Sequence, residues 1–529
     1  AIAEGQKSIE YGPNSALSYA LYSQTTYYAG DADEAIASAE QAVRLCPKCP
    51  AWYLVELGKG YRLAGRYQDA LEVFERLLER TQKGEYSPWV LHNHLAITYS
   101  MMGQTEKAQI HLAEAQKYNP EYSLEYLRKI SFFKDPNQLE VVLDFLRKAG
   151  LTDKTLLPLP DKPSIAVLPF VNMSDDPKQE YFSDGITEEI ITGLSKTPKL
   201  FVIARTSSFK YKGKQVDVRT VGRELGVRYV LEGSVRKEAD KVRITAQLID
   251  AKTGQHVCAE RYDRDLKGIF AIQDEITMKI LIALQVKLTE GDEASIYGKR
   301  TQNLEAYLLF LQGRDQLNRI TPDGIFRGRQ MVQEAINLDP SYAPGYHMFA
   351  LSYVNEVILA LTKDPRQSIA RAVELEQKAL ALDVSLSNAH GLLGWLYTLQ
   401  RQHDKGITEC EEAVRLEPNA AGAHFHLSLA LKYAGRAEES IAMCKKAMRL
   451  DPIPTSYYYQ NLTTLYCLTG QYKEAIAAGK KAVDLEPNNM IARAFLAIAY
   501  SLNGKEEKAS IEAKEVMRIN PKFSVGKWE

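Results

Sequence analysis

Apolar and small residues recur with a period near 34 residues in two long stretches of the chain, a period typical of stacked helix pairs. Before residue 150, three glycines mark one turn per repeat, and an alanine follows each of them five residues later. After residue 303, prolines recur at spacings of 34, 35 and 34 residues. Small residues let neighbouring helices approach closely, so both stretches are predicted to be helical arrays. The markers are Gly30, Gly65, Gly103, Ala35, Ala70 and Ala108 in the first stretch, and Pro418, Pro452, Pro487 and Pro521 in the second.

The same pattern predicts the bounds of both arrays. The first array takes residues 1–150 and ends in an amphipathic closing helix over 137–148, which covers its last apolar face. Prolines make residues 151–163 a stiff linker. The second array takes residues 303–529 with about six repeats, more than the three or so that a stable stack needs. It shows no closing helix, and the chain starts at Ala1, so we expect a chain cut or processed at both ends.

Residues 164–290 show strand patterns that the two arrays lack. An apolar run ended by Pro169 predicts a buried strand. Ser183 or Asp184 is predicted to cap the next helix and to place Glu188 and Glu189 in its first turn, where the helix dipole favours negative charge. The whole pattern predicts a mixed α/β domain, so the fold class is mainly α with one α/β domain. The predicted strands are 164–170, 200–204, 228–236, 241–250 and 255–263, and the later helices are 216–225 and 269–288.

Composition narrows the function classes. With 529 residues, three or so domains are expected. Lys and Arg number 66 against 67 Asp and Glu, a balance that argues against a nucleic-acid-binding surface. The chain contains no apolar run of the roughly 20 residues that cross a bilayer, so no membrane span is expected. Six cysteines are too few for a disulfide scaffold, and a reducing cytoplasm is the expected location.

Candidate catalytic and metal sites are weak. Asp184, Glu188, Glu189 and Arg205 could converge at the strand ends, where open α/β sheets bind ligands, but capping explains the acidic residues more simply. The pair Cys46 and Cys49 has no second pair at zinc spacing. No phosphate-binding loop, kinase, zincin or hydrolase signature is present. We therefore predict no catalytic residues, no cofactor and no metal.

The first helices of the second array's repeats should line its inner face. Aromatic residues on such a face anchor apolar peptides or helices, although each of them has an alternative role in packing between repeats. The surface lacks the ladder of Lys, Arg and Asn that clamps a peptide's terminal carboxylate. The predicted partner-binding residues are Trp395, Phe425, Lys432, Tyr433, Tyr457, Gln460 and Thr464.

Two family resemblances follow from these residues. The repeat with Leu57, Gly58, Tyr61, Gly65 and Phe74 resembles the tetratricopeptide family. About 125 residues, with Ser-Ile-Ala-Val-Leu-Pro-Phe, Tyr-Phe-Ser-Asp-Gly-Ile-Thr-Glu-Glu-Ile and Leu-Glu-Gly-Ser-Val-Arg, resemble the TolB amino-terminal-like domain. That resemblance implies the regulatory region of large bacterial signalling proteins, notably class III adenylate/guanylate cyclases, and it implies no catalytic residues.

The sequence thus predicts a non-catalytic, cytoplasmic interaction scaffold, or the regulatory region of a bacterial signalling protein, that binds protein or peptide partners through repeat grooves. One alternative is the sensory half of a class III nucleotide cyclase whose catalytic domain lies outside this chain. The other is a structural protein that assembles with its own copies, because an uncapped array exposes an apolar end.

Overall fold

The computed structural model divides the chain into two compact units, residues 1–158 and 159–529. The fold class is confirmed, because the described chain is mainly α with one mixed α/β region between two helical arrays. Residues 152–156 and 158 of the predicted linker, and the predicted helix end at 287–288, lie outside the described residues. The structure describes residues 2–119, 122–131, 133, 135–151, 157, 159–284, 286, 301, 303–453, 455–521 and 523.

Three antiparallel helix pairs form the repeats of the amino-terminal unit, with one helix before them and two after them among its described residues. The turns inside the pairs place Gly30, Gly65 and Gly103 at φ of 88°, 75° and 73°, a left-handed conformation that strains other residues. The helices are α1 (Ile2–Tyr11), α2 (Ala16–Ala29), α3 (Ala32–Leu45), α4 (Ala51–Leu63), α5 (Tyr67–Gln82), α6 (Pro88–Met101), α7 (Thr105–Tyr118), α8 (Leu124–Ile130) and α9 (Pro136–Lys148).

The last helix of this unit and the residues before it run back across the array. On α9, the carbonyl of Phe145 accepts a hydrogen bond of 2.6 Å from Ser100 Oγ of α6. Ahead of α9, the Phe133 ring lies 5.6 Å from the Tyr27 ring and 5.5 Å from the Tyr28 ring, both at the end of α2. The sequence pattern predicts a helix that covers the last apolar face, whereas this segment also reaches the first repeat.

A six-stranded mixed sheet forms the α/β region. Its main order is β3-β1-β4-β5-β6, with β1 parallel to β3 and β4, and with β5 antiparallel to both β4 and β6. The two-residue strand β2, which the sequence pattern does not predict, pairs parallel with β4. The strands are β1 (Ser164–Val167), β2 (Val171–Asn172), β3 (Phe201–Val202), β4 (Tyr229–Glu238), β5 (Lys241–Asp250) and β6 (Gln255–Asp265). The helices are α10 (Glu180–Ser195), α11 (Arg205–Ser208), α12 (Val218–Leu225) and α13 (Ile269–Ala283), with 3-10 turns at Pro177–Gln179, Phe209–Tyr211 and Leu266–Gly268.

The predicted start of the helix after β1 is wrong. Helix α10 begins at Glu180, so Ser183 and Asp184 lie inside its first turns and neither caps it. Ser183 Oγ donates to the carbonyl of Glu180, three residues earlier. Glu188 and Glu189, predicted for the first turn, then fall about two turns beyond the helix start, where the dipole no longer explains them. The short turn at Pro177–Gln179 leads directly into α10, and this local continuation displaces the predicted cap.

Six antiparallel helix pairs form the described part of the carboxy-terminal array. The turns inside the last three pairs hold glycines in the left-handed region, as in the first array, whereas the first three pairs hold Ile320, Ala360 and Arg401 there. The less regular early repeats thus keep the same turn without glycine. The helices are α14 (Leu304–Asn318), α15 (Pro322–Leu338), α16 (Ala343–Ile358), α17 (Pro365–Leu382), α18 (Ser387–Leu399), α19 (His403–Leu416), α20 (Ala421–Tyr433), α21 (Ala437–Leu450), α22 (Ser456–Leu468), α23 (Tyr472–Leu485), α24 (Met490–Leu502) and α25 (Glu506–Ile519).

The α/β region and the second array share a hydrophobic core within the carboxy-terminal unit. Buried residues of α10 and of the sheet belong to one cluster with Leu311 of α14 and its neighbours. Helix α10 approaches α14 so closely that a Cβ atom on Gly185 would lie 2.7 Å from Leu311 Cδ1. A second cluster joins Phe201 and Val230 of the sheet to Leu450 at the end of α21. The regions predicted as separate domains, 164–290 and 303–529, therefore pack as one body.

Candidate interaction surfaces of the carboxy-terminal unit

The loops between successive repeats hold the α/β region against the array. Asn419, in the loop after α19, donates from Nδ2 to the carbonyls of Ser195 and Thr197, at 3.2 and 3.0 Å, at the end of α10. One repeat later, the amide of Ala204 donates to the carbonyl of Leu450 at 2.8 Å. A main-chain carbonyl accepts each of these bonds, and the Asn419 side chain donates two of them.

Three side chains strengthen this contact where β3 and α11 meet the end of α21 and the loop after it. Ser207 Oγ donates to the Asp451 carboxylate and accepts from the amide of Ile453 at 2.8 Å. Both Ser207 and Asp451 are fully buried. Arg449 lies with its guanidinium 4.5 Å from the Phe201 ring centroid and donates to the carbonyl of Gly226 at 3.0 Å. Buried polar groups that are satisfied in this way specify one docking geometry.

The acidic residues that the sequence places near the strand ends do come together, but cations pair with them. Glu188 forms ion pairs with Arg205 and with Arg314 of α14, the second at 3.0 Å. Arg314 also lies 3.8 Å from Glu189. Asp184 accepts from Lys212 Nζ at 2.8 and 2.6 Å. These carboxylates therefore serve packing between α10 and its neighbours.

The predicted aromatic residues pair across adjacent first helices of the array. Trp395 on α18 is half-buried, and its ring centroid lies 5.9 Å from that of Tyr433 on α20. Phe425 on α20 is half-buried, and its ring lies 4.9 Å from that of Tyr457 on α22. Tyr433 is 54% exposed and Tyr457 is 40% exposed. Trp395 and Phe425 thus pack largely between repeats, while the two tyrosines offer open aromatic surface.

The three polar residues predicted for this face differ in their surroundings. Lys432 Nζ lies 4.8 Å from the Tyr433 ring, and burial lowers the pKa of Lys432 to about 8. Gln460 donates to Ser456 Oγ at 3.1 Å, and Thr464 Oγ1 donates to the carbonyl of Gln460 at 3.2 Å. Gln460 and Thr464 therefore bond within α22, whereas the half-buried Lys432 lies beside the Tyr433 ring.

The array also holds two acid–histidine pairs that the sequence pattern does not predict, Glu376 with His347 and Glu409 with His390. Glu376 is 0% exposed, its Oε1 lies 2.9 Å from His347 Nδ1, and no described residue hydrogen-bonds to its Oε2. Burial raises the pKa of Glu376 to about 7, against the lowering effect of His347. His390 pairs with Glu409 at 2.6 Å. No motif connects these residues along the chain, because they meet only when successive helices stack.

No described helix is both long and apolar enough to cross a membrane. No group of three His, Cys, Asp or Glu side chains in the described part of the chain is placed to hold a metal ion.

Family models match three parts of the chain. The second domain of HilA/YgeH-like transcriptional regulators matches residues 161–279, which contain the sheet. Tetratricopeptide repeat models match residues 50–119, 387–420 and 421–454, one stretch in the first array and two in the second. The predicted tetratricopeptide repeats are therefore confirmed in both arrays.

Curated relatives cover parts of the chain. "Putative adenylate cyclase 3" of Rhizobium meliloti (strain 1021) is 46% identical over 247 residues, which are 47% of this chain and 42% of the relative. "Transcriptional regulator HilA" of Salmonella typhimurium (strain LT2) is 22% identical over 281 residues, which are 53% of this chain and 49% of the relative. The chain thus spans less than half the length of each of these relatives.

Among solved structures, TTC0263, a thermophilic TPR protein of Thermus thermophilus, is similar to part of the chain. It shares 19% identity with a TM-score of 0.30, over 37% of this chain and 99% of that protein. Taken together, the family matches and the described helices show that the chain carries two arrays of tetratricopeptide repeats, a scaffold for protein interaction, around one mixed α/β region.

Proposed function

We propose that the chain is a non-catalytic interaction region of a bacterial signalling protein, and that its second array binds a protein partner on the face bearing Tyr433 and Tyr457. The observation that carries the proposal is the pair of exposed tyrosine rings, each supported by a half-buried aromatic ring of a neighbouring repeat. Such rings supply large contact area at low cost in conformational entropy. Their supports hold them in place before a partner arrives, which favours binding.

Lys432 defines the chemistry of the partner. Its ammonium is partly removed from water, and burial lowers its pKa to about 8. A carboxylate from the partner would compensate this loss of hydration. The partner is therefore a peptide or helix with an apolar anchor next to an acidic residue. No ladder of basic residues accompanies Lys432 in the sequence of this face, so an internal acidic side chain suits the site better than a terminal carboxylate.

The regulatory part of the proposal draws on the relatives. The segment that contains the α/β region matches a transcriptional-regulator domain, and parts of the chain are similar both to a protein named as an adenylate cyclase and to a transcriptional regulator. A region shared by a protein named as a cyclase and a transcriptional regulator is better suited to regulation than to catalysis. The TolB-like resemblance and a cytoplasmic location belong to this proposal.

The test uses affinity capture from cells of the source organism. The full chain should recover a partner, and the double substitution Lys432→Ala and Tyr433→Ala should reduce that recovery at least tenfold. The matched control is Ile511→Ala, which removes a comparably exposed side chain from the second helix of the last repeat. Equal recovery of the partner by the double variant and the control would refute partner binding on the face that bears Tyr433.

A second candidate function has one specific observation in its favour. The 46% identity to a protein named as an adenylate cyclase supports the sensory half of a class III nucleotide cyclase. The test is to sequence the open reading frame around this chain and to assay the whole gene product for cyclic nucleotide synthesis. A cyclase domain in that frame, whose cyclic nucleotide output changes with Tyr433→Ala, would support it. The absence of such a domain from the frame would reject it.

A further inference from the structure

A cavity of about 400 Å³ lies between the α/β region and the second array. Its volume is in the range of small-molecule sites, which combine an apolar lining with a few convergent polar groups. One side of the lining comes from α10 and the other from the loops after α17 and α19. Six aromatic residues contribute to its lining, namely Phe270, Tyr307, Phe310, Tyr342, Tyr457 and Tyr458.

Two acceptors in this lining receive no hydrogen bond from any described residue. Glu417 is 6% exposed, and its carboxylate makes no hydrogen bond and no ion pair within 4 Å in the described part of the chain. Asn419 is 1% exposed; its Nδ2 donates to the carbonyls of Ser195 and Thr197 at the end of α10, and no described residue donates to its Oδ1. Leaving such acceptors unpaired costs free energy, which a bound donor would recover.

Two arginines that line the cavity already form ion pairs, unlike these acceptors. Arg205 and Arg314 both pair with Glu188. Burial raises the pKa of Glu417 to about 7, although the positive charge of Lys196 acts in the opposite direction. The pocket is thus short of hydrogen-bond donors at Glu417. The Glu417 carboxylate would repel an anion in the cavity, whereas a cation would offset its negative charge.

We propose that this cavity binds a small organic ammonium ion with a short apolar body. The ammonium group would donate to the Glu417 carboxylate, and the apolar body would lie against the aromatic wall. Aromatic faces also attract ammonium groups, which adds to the selectivity for a cation. The ligand would touch both the α/β region and the array. This proposal stands independently of the groove around Tyr433.

The test is isothermal titration calorimetry of the full 529-residue chain with three probes that share a phenyl body. At about pH 8, where an alkylammonium keeps its proton, 2-phenylethylammonium should bind at least tenfold more tightly than the neutral 2-phenylethanol. The anionic 3-phenylpropionate should not bind. This series needs no variant, so its result is separate from any effect of mutation on folding.

Glu417→Gln, which keeps the shape of the side chain, should weaken binding of 2-phenylethylammonium at least tenfold. The control Glu486→Gln changes the same residue type at the corresponding position two repeats later, where the side chain is exposed, and it should leave binding unchanged. Equal affinities for the ammonium and the alcohol, no saturable binding of the ammonium, or unchanged affinity in Glu417→Gln would each overturn the proposal.

Discussion

Glu417→Gln should make the carboxy-terminal unit more stable at alkaline pH and should leave it unchanged at acidic pH. Glu417 lies where the loop after α19 meets α10, with 6% of its surface exposed and no hydrogen bond to its carboxylate from any described residue. Ionising it there requires a charge with little compensation. Glutamine keeps the size of the side chain and removes that charge.

The sign follows from the pKa of Glu417, which burial raises from 4.5 to about 7. Below about pH 4.5 the carboxyl is protonated in both the folded and unfolded chains, and its full contribution to stability is present. That contribution is lost as the pH rises through about 7, because only the unfolded chain releases the proton easily. At 1.36 kcal/mol per pKa unit the difference approaches about 3 kcal/mol, and relaxation of the site brings our expectation to about 1–3 kcal/mol.

The assay is urea unfolding at several pH values between about 5 and 8, combined with hydrogen exchange of amides across the contact. Two informative amides are those of Ala204 and Asn419, which donate to carbonyls on the other side. Nearby charges on Lys196, Glu189 and His347 are the same in both proteins.

Glu486→Gln, at the corresponding exposed position, should show no gain in stability at any pH. Glu376 retains its own raised pKa, so the Glu417 variant keeps part of the pH dependence. A Glu417 variant that is less stable than the parent at about pH 8 would show that ionised Glu417 is stabilised by a neighbouring cation, against the reasoning.

Three further perturbations test other contacts. Ser207→Ala removes one of the donors to the Asp451 carboxylate and leaves the amide of Ile453 without its acceptor, so it should cost about 1–3 kcal/mol, measured by urea unfolding of the full chain. Phe133→Ala removes the ring between two tyrosines at the end of α2, and faster hydrogen exchange of α9 should follow, while α7 keeps its rate. Burial and the positive charge of Arg62 hold the pKa of His94 well below 6.5, so lowering the pH below about 6.5 should destabilise the amino-terminal unit, and His94→Gln should reduce this loss in a thermal melt.

Local signals in the sequence were sufficient for most of the fold. The glycines at 30, 65 and 103 predict turns because few other residues accept a left-handed backbone, and the structure places all three there. The strand patterns over 228–236, 241–250 and 255–263 correspond to β4, β5 and β6. The sequence pattern places the start of α10 too late because Ser183 resembles a cap, whereas the turn at Pro177–Gln179 starts the helix earlier.

The candidate sites depended on long-range contacts that periodicity does not reveal. Glu417 precedes a proline at a position where other repeats carry Asp339, Asp451 or Glu486, so nothing local distinguishes it. It becomes a buried acid only because the α/β region packs against that loop. The aromatic face was easier to predict, since helical spacing alone brings side chains of successive repeats together. How much of each ring stays exposed could not be predicted, because burial depends on the neighbouring repeat.

Tyr457 joins the two proposed surfaces. Its side chain lines the cavity, and its ring lies 4.9 Å from that of Phe425 on the aromatic face. A ligand that fixes the position of Tyr457 in the cavity would therefore change how readily the face accepts a partner. Thermodynamic linkage then requires the partner to change the affinity for the ligand by the same factor. If 2-phenylethylammonium binds with equal affinity in the presence and absence of a saturating partner, the two sites are not coupled through Tyr457.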